Sequence, residues 1–229
     1  MKNKVVVIAA PPDDEVLGCG ATIAKHVKTG DEVHVLIMAE GLTSRNLKRD
    51  RNRYQYELCE LEQTAHLANK KLGVSSLTLH QFPDNRMDSL ELLDVVKVIE
   101  AFIGLHRPSV VYTHHNGDVN IDHRIIHNAA VTACRPLPGQ VVKTLLFFEI
   151  PSSTEWQPPQ SAPYFMPNWF IDVSETLAIK LEALDSYKSE MRLWPHPRSL
   201  ETVKHLAHWR GSIVGVEAAE AFMLGRYIE

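Results

Sequence analysis

Basic stretches are missing from this sequence. Its 24 Lys and Arg stand against 28 Asp and Glu, a net charge of −4, so it offers nucleic acid no positive surface. The one short basic run, Lys48 to Arg51, has Asp50 inside it and reads as a solvated helix start. Cysteine is also scarce. Cys19, Cys59 and Cys134 are far apart and odd in number, which excludes a disulfide framework and a CxxC pair. Each reads as a small buried apolar residue, and the set fits a reducing compartment, the cytoplasm. Long apolar runs are absent too. Val5–Ala10 is too short for a membrane span or a signal-peptide core. The "GCGAT" stretch at 18–22 lacks the GxGxxG pattern of a dinucleotide site, and no GxSxG nucleophile elbow occurs.

What is present is the material of an α/β protein. Hydrophobic residues make up 45% of 229, enough for a sizeable core. Val5–Ala10, Glu32–Ala39, Ser76–His80, Ser109–Thr113 and Lys143–Ile150 read as strands, the first as a continuous apolar run buried on both faces and the second as another buried strand. Helical patterns lie between them at Val16–Lys28, Arg49–Leu72, Leu90–Leu105 and Ile121–Ala133. Gly30 and Gly73 stop the first two. The alternation predicts a mostly parallel sheet with helices on both faces, a Rossmann-like three-layer α/β/α fold. Residues 1–150 form this core. Residues 151–229 complete the same single domain with a Pro/Ser-rich loop, a short strand at Phe170–Val173, and helices at Glu175–Glu190, Leu200–Ala207 and Gly215–Tyr227.

In such sheets ligands bind beyond the carboxyl ends of the strands. Five polar loops fall there: Pro11–Glu15, Glu40–Arg45, Phe82–Asp88, His114–His123 and Pro151–Trp156. The first holds Asp13, Asp14 and Glu15 directly after a buried strand. One acid would suffice to cap the following helix. Three repel one another, and a nearby cation relieves that cost. The fourth holds several of the chain's 12 histidines. His123 and His127 lie on one helix face, four residues apart. His123, at the helix start, is the better ligand candidate, and His127 reads as packed. Asp122 could cap the helix. A carboxylate and an imidazole on one divalent cation, with a spare carboxylate alongside, suit water activation and hydrolysis of an amide or ester.

"AAPPDDEVLGCGATIAKH" and "NIDHRIIHNAA" resemble the two metal motifs of the PIG-L/LmbE family of N-acetylglucosaminyl deacetylases. "FPDNRMDS", "EIPSSTEW", "WPHPRS" and "RGSIVGVEAAEAF" are similar to further family stretches, so the resemblance spans nearly the whole chain. It implies an LmbE-like fold and a hydrolase that uses Zn2+ or another divalent metal to remove the N-acetyl group from an N-acetylglucosamine-type amino sugar or conjugate. It implies that Asp14 and His123 are metal ligands, Asp13 the general base and Glu15 a supporting residue. Asn120 stands where some members carry a histidine that stabilises the oxyanion, and His114 or His115 are the nearest replacements. Pro11 stands where the family has a metal-binding histidine. Three outcomes stay open: His114 or His115 fills in, the metal is bound weakly, or the chain is a metal-deficient, non-catalytic sugar-binding homologue. Arg45, Asp84 and Arg86 are candidate substrate contacts, and Trp156 a candidate stacking surface. His196 and Arg198 could reach the site or an acidic sugar; a rigid Pro-flanked turn with an ordinary ion pair is the preferred reading. The expected partner is a small amino-sugar substrate, with no membrane and no nucleic acid. Family members form monomers and larger assemblies, which leaves a homo-oligomer open.

Overall fold

The computed structural model describes residues 3–229. Seven strands form one sheet in the order β3-β2-β1-β4-β5-β7-β6. They are β1 (Lys4–Ala9), β2 (Glu32–Ala39), β3 (Ser76–Phe82), β4 (Val110–His114), β5 (Thr144–Phe148), β6 (Trp169–Asp172) and β7 (Ala219–Tyr227). The first five are parallel, and β7 runs antiparallel to both β5 and β6. Six helices cover the faces: α1 (Asp14–Lys28), α2 (Gln55–Leu72), α3 (Leu92–His106), α4 (Ile121–Ala133), α5 (Leu177–Leu184) and α6 (Leu200–Val214). Among the described residues no helix is long and apolar enough to cross a membrane.

The continuous apolar run of β1 is explained by burial on both sides. Val5, Val7 and Ala9 pack with α1, α2 and α5. Val6, Ile8 and Ala10 pack with α3 and α4 on the other face. Strand residues alternate between faces, so a strand with two covered faces has no polar position to spare. The strand order reverses between β1 and β4, which pair from Val5↔Val110 to Val7↔Tyr112. A crevice opens beyond their carboxyl ends at that switch point. The chain exits there through Asp13-Asp14-Glu15 and through His114-His115.

Four expected elements differ. Helix α6 runs on to Val214, past the expected end at Ala207. Residues 215–227 were expected to be helical, yet Ala219–Tyr227 form β7. Its Ala, Glu and Met favour a helix, but the slot between β5 and β6 decides: Phe222 sits opposite both Phe148 and Trp169. Helix α2 starts at Gln55, not Arg49, because Arg49 and Arg51 are both tied to the buried Glu40 carboxylate. Helix α5 ends at Leu184 rather than Glu190. The residues after it turn inward, where Tyr187 and Glu190 bond to Glu15 and Arg45. Of the cysteines, Cys19 and Cys134 are buried but Cys59 is exposed.

Candidate active site

Asp13, Asp14 and Glu15 are fully buried at the start of α1. Asp13 has a positive φ of 106°, a conformation that L residues adopt only when their surroundings hold them there. Glu15 supplies the hold. Its Oε2 accepts the Asp13 N–H at 3.0 Å, and its Oε1 accepts from Tyr187 Oη at 2.7 Å and Asn69 Nδ2 at 2.9 Å. Burial raises Glu15 to about 7, against the opposing pull of these donors. Glu15 thus braces the loop from behind.

His123, in the first turn of α4, lies between two acids. Its Nε2 donates to Asp14 Oδ2 at 2.8 Å, and its Nδ1 is 3.1 Å from Asp118 Oδ2. Burial alone would lower its pKa. The charges of Asp14 and Asp118, and the bonds to them, outweigh burial and raise it to about 10. The same imidazolium, with the hydroxyls of Ser153 and Thr154, holds Asp118 below the usual carboxylate range despite burial. His114 stacks on His123 with ring centroids 3.9 Å apart. The Ala10 N–H donates to His114 Nε2 at 3.0 Å, which leaves that nitrogen 3.9 Å from Asp14 Oδ2. Burial, then the neighbouring His123, keeps His114 neutral, well below the ordinary histidine pKa.

Asp14, His114 and His123 offer ligand atoms that all lie within 4.8 Å of one another, and all three side chains are buried. Asp14 Oδ1 and His114 Nδ1 have no hydrogen-bond partner. One carboxylate and two imidazoles are zinc-type donors. The donor types suit a divalent cation, although the His114 Nε2 lone pair is taken by the Ala10 N–H in this arrangement.

A cleft of about 290 Å³ opens beside this cluster, lined by Pro11, Arg45, Asp84, Asn120, Trp156 and Arg198 among others. Arg45 reaches across to Glu190, its Nη2 2.9 Å from both carboxylate oxygens. Asp84 accepts the Ser44 N–H at 3.2 Å. Burial raises the Asp84 pKa against that bond. Trp156 is half exposed at the rim, edge-on to His196. Asn120 is the residue that caps α4, its Oδ1 accepting the Asp122 N–H at 2.9 Å.

Three expectations change. Asp122 is not the cap; its carboxylate accepts the N–H groups of Asn85 and Met87 and anchors the loop after β3. Burial raises it to about 6. His115 turns away from the cleft, its Nε2 on Pro163 O and its ring against Phe165. Arg86 spends Nη2 on the Asn46 and Leu47 carbonyls and braces a loop instead of lining the cleft. Two contributors carry no sequence signal, and a third was under-weighted. Asp118 carries no motif signal beyond its place near His123. Glu190 was hidden inside an expected helix. Arg198, for which an ordinary turn was preferred over a reach into the site, does reach it: its Nη1 donates to Asp13 Oδ2 at 2.9 Å.

Residues 6–134 match the GlcNAc-PI de-N-acetylase family, PIG-L. The chain is 31% identical to an uncharacterized deacetylase of Escherichia coli K12, YaiS, over 197 residues, covering 82% of this chain and 92% of that protein. Two solved structures share the fold. The N,N'-diacetylchitobiose deacetylase of Pyrococcus horikoshii has a TM-score of 0.77 at 18% identity, covering 98% of this chain and 84% of that one. The 4-carboxy-2-hydroxymuconate hydratase GalB of Pseudomonas putida KT2440 has a TM-score of 0.77 at 21% identity, covering 100% and 99%. The family match spans more than half of the chain and a curated relative covers most of it, so the chain belongs to the PIG-L family of de-N-acetylases.

Proposed function

We propose that this protein is a divalent-metal N-deacetylase, zinc being the best match, acting on an N-acetylglucosamine-type amino sugar or conjugate. The observation that carries this reading is the pairing of a carboxylate, Asp13, with the adjoining Asp14–His114–His123 cluster, buried next to a cleft whose lining residue Arg198 bonds to Asp13. A cation held by those three residues supplies Lewis-acid charge when bound.

The chain's own residues account for the proton transfers. Asp13 Oδ2 is fixed by Arg198, and Asp13 Oδ1 has no partner. Burial raises the Asp13 pKa and Arg198 opposes that rise. A carboxylate so placed is suited to take a proton from an attacking water and later hand it to the leaving amine. Asp84, Arg45 and Glu190 line the cleft with the acceptors and donors that sugar hydroxyls need, and Trp156 gives a pyranose face an aromatic edge of the cleft to meet. Three free thiols suit a cytoplasmic setting.

Acetate release from N-acetylglucosamine and N,N'-diacetylchitobiose, with zinc supplied, tests the reading. Turnover that falls by roughly 10²–10⁴ in Asp13→Asn supports it. No acetate from either sugar, or undiminished turnover in the variant, rejects it. Pro11 favours a second reading, a sugar-binding homologue without turnover, since it offers no ligand and His114 Nε2 already accepts the Ala10 amide. Sugar affinity without acetate release and without metal dependence marks that outcome.

A further inference from the structure

Arg198 lies 185 residues from Asp13 in sequence, yet it is the cation in contact with that carboxylate among the described residues. Its side chain is one-fifth exposed and lines the cleft. Each of its nitrogens has a distinct setting. Nε donates to Ser152 Oγ at 2.7 Å and Nη1 to Asp13 Oδ2 at 2.9 Å. Nη2 has no hydrogen-bond partner and stands 3.9 Å from Asp14 Oδ1. The backbone is fixed as well: the Arg198 N–H donates to His196 Nδ1 at 3.0 Å, and Ser199 caps α6 through the Thr202 N–H. Pro195 and Pro197 stiffen the approach. A planar guanidinium with two of its three nitrogens already bonded is a pre-aimed donor.

The neighbouring donors are less well placed. Asn120 is fixed at the cap of α4 through its Oδ1, with its Nδ2 still free at the cleft. His115 is held on Pro163 O. His114 is fully buried outside the cleft lining, with Nε2 accepting from Ala10 and Nδ1 unpartnered. Arg45 is paired with Glu190.

We propose that Arg198 is the oxyanion-stabilising residue of the deacetylation, with Nη2 donating to the acetamide oxygen. This rests on the deacetylase reading above. The water oxygen bonds to the carbonyl carbon, its proton passes to Asp13, and the carbonyl π pair moves onto oxygen facing Nη2. On collapse that pair re-forms the C=O bond and the C–N bond breaks. The nitrogen keeps the bond pair and takes the proton from Asp13. Acetic acid and a free amine result. Because Nη1 and Nη2 share one plane, the donor that fixes the base also fixes the distance from base to oxyanion. A hydrogen bond that tightens as charge develops accelerates the step.

The test compares wild type, Arg198→Gln and Arg198→Lys on three readouts: turnover of N-acetylglucosamine, affinity for the methylphosphonamidate of glucosamine as a tetrahedral mimic, and affinity for glucosamine. Arg198→Gln is expected to lower kcat by roughly 10²–10³ with little change in KM. It should weaken the phosphonamidate by a similar factor and leave glucosamine affinity intact. A role confined to orienting Asp13 would leave phosphonamidate affinity unchanged, and that result overturns the proposal. So does a parallel loss of phosphonamidate and glucosamine affinity, which marks general damage. If wild type releases no acetate, the deacetylase reading falls, and equal phosphonamidate binding by wild type and Arg198→Gln then rejects Arg198 separately. Arg198→Lys keeps the charge beside Asp13 without the fork, and carries the same comparison if the Gln variant does not fold.

Discussion

Lys180 Nζ lies 2.6 Å from Glu220 Oε1 inside the protein, and both residues serve one break in α1. The helix loses regular geometry at Cys19, where φ is −150°. Glu220 accepts the freed N–H groups of Ala21 and Thr22, and Lys180 donates to the Leu17 carbonyl. Strand β7 and helix α5 thus mend a helix that begins at the candidate site. Replacing Glu220 by Ala leaves a buried ammonium and two buried amides without their carboxylate. The expected loss is about 3–5 kcal/mol, read by urea unfolding. Lys180→Met combined with Glu220→Leu should lose clearly less than the two single changes added together. Strict additivity would show that the pair does not act as a unit.

Gly18 faces the Phe148 ring. A Cβ built there would come within 2.4 Å of Phe148 Cδ2. Gly18→Ala is therefore expected to destabilise by about 1–3 kcal/mol. Adding Phe148→Leu should recover part of that, because the clash is with the ring and not with backbone. Thermal melts of the single and double variants check both statements.

Metal affinity should report on three side chains. His114→Ala and His123→Ala are each expected to weaken zinc binding by at least ~10–100-fold, measured by competition with a chromophoric chelator. Pro11→His adds an imidazole at the end of β1 and should strengthen it. If His114→Ala leaves affinity unchanged, Asp14 and His123 hold the cation without His114.

Far from the cleft, His34 and His106 stack with centroids 3.9 Å apart. Burial lowers the pKa of both, and each is lowered further by a neighbouring cation, His106 for His34 and Lys4 for His106, with Glu32 opposing. The unfolded chain therefore binds protons that the folded chain refuses, so stability rises with pH. The contribution is fully present above the unfolded value near 6.5 and is lost as pH falls through it towards the lowered folded values. Urea midpoints from pH 8 to 5.5 should decline, and His106→Gln should flatten the decline. An unaltered slope in that variant would assign the effect to other groups.

The sequence revealed the parallel core because β1 from Val5 on, and β2 from Val35 on, have no polar alternation to misread. Asp13 and Asp14 were visible for a similar reason: they stand within a few residues of the end of β1, and His123 opens the helix after the loop beyond β4, where the topology predicts a crevice. Arg198 and Glu190 could not be found that way. Their roles depend on how the segment after β5 folds back over the crevice, and no local pattern records a contact spanning 185 or 145 residues. The strand β7 was misread because helix propensity is local while its slot in the sheet is not.

Strand β7 also orders events during synthesis. It inserts between β5 and β6, so a ribosome that has released β1 to β5 has released a sheet with an open edge. The residues carrying both metal motifs emerge early, but Tyr187, Glu190, Arg198 and Glu220 follow much later. A nascent chain thus holds its acidic loop without the partners that brace it. Prematurely terminated products should be aggregation-prone clients of chaperones rather than partly active enzyme.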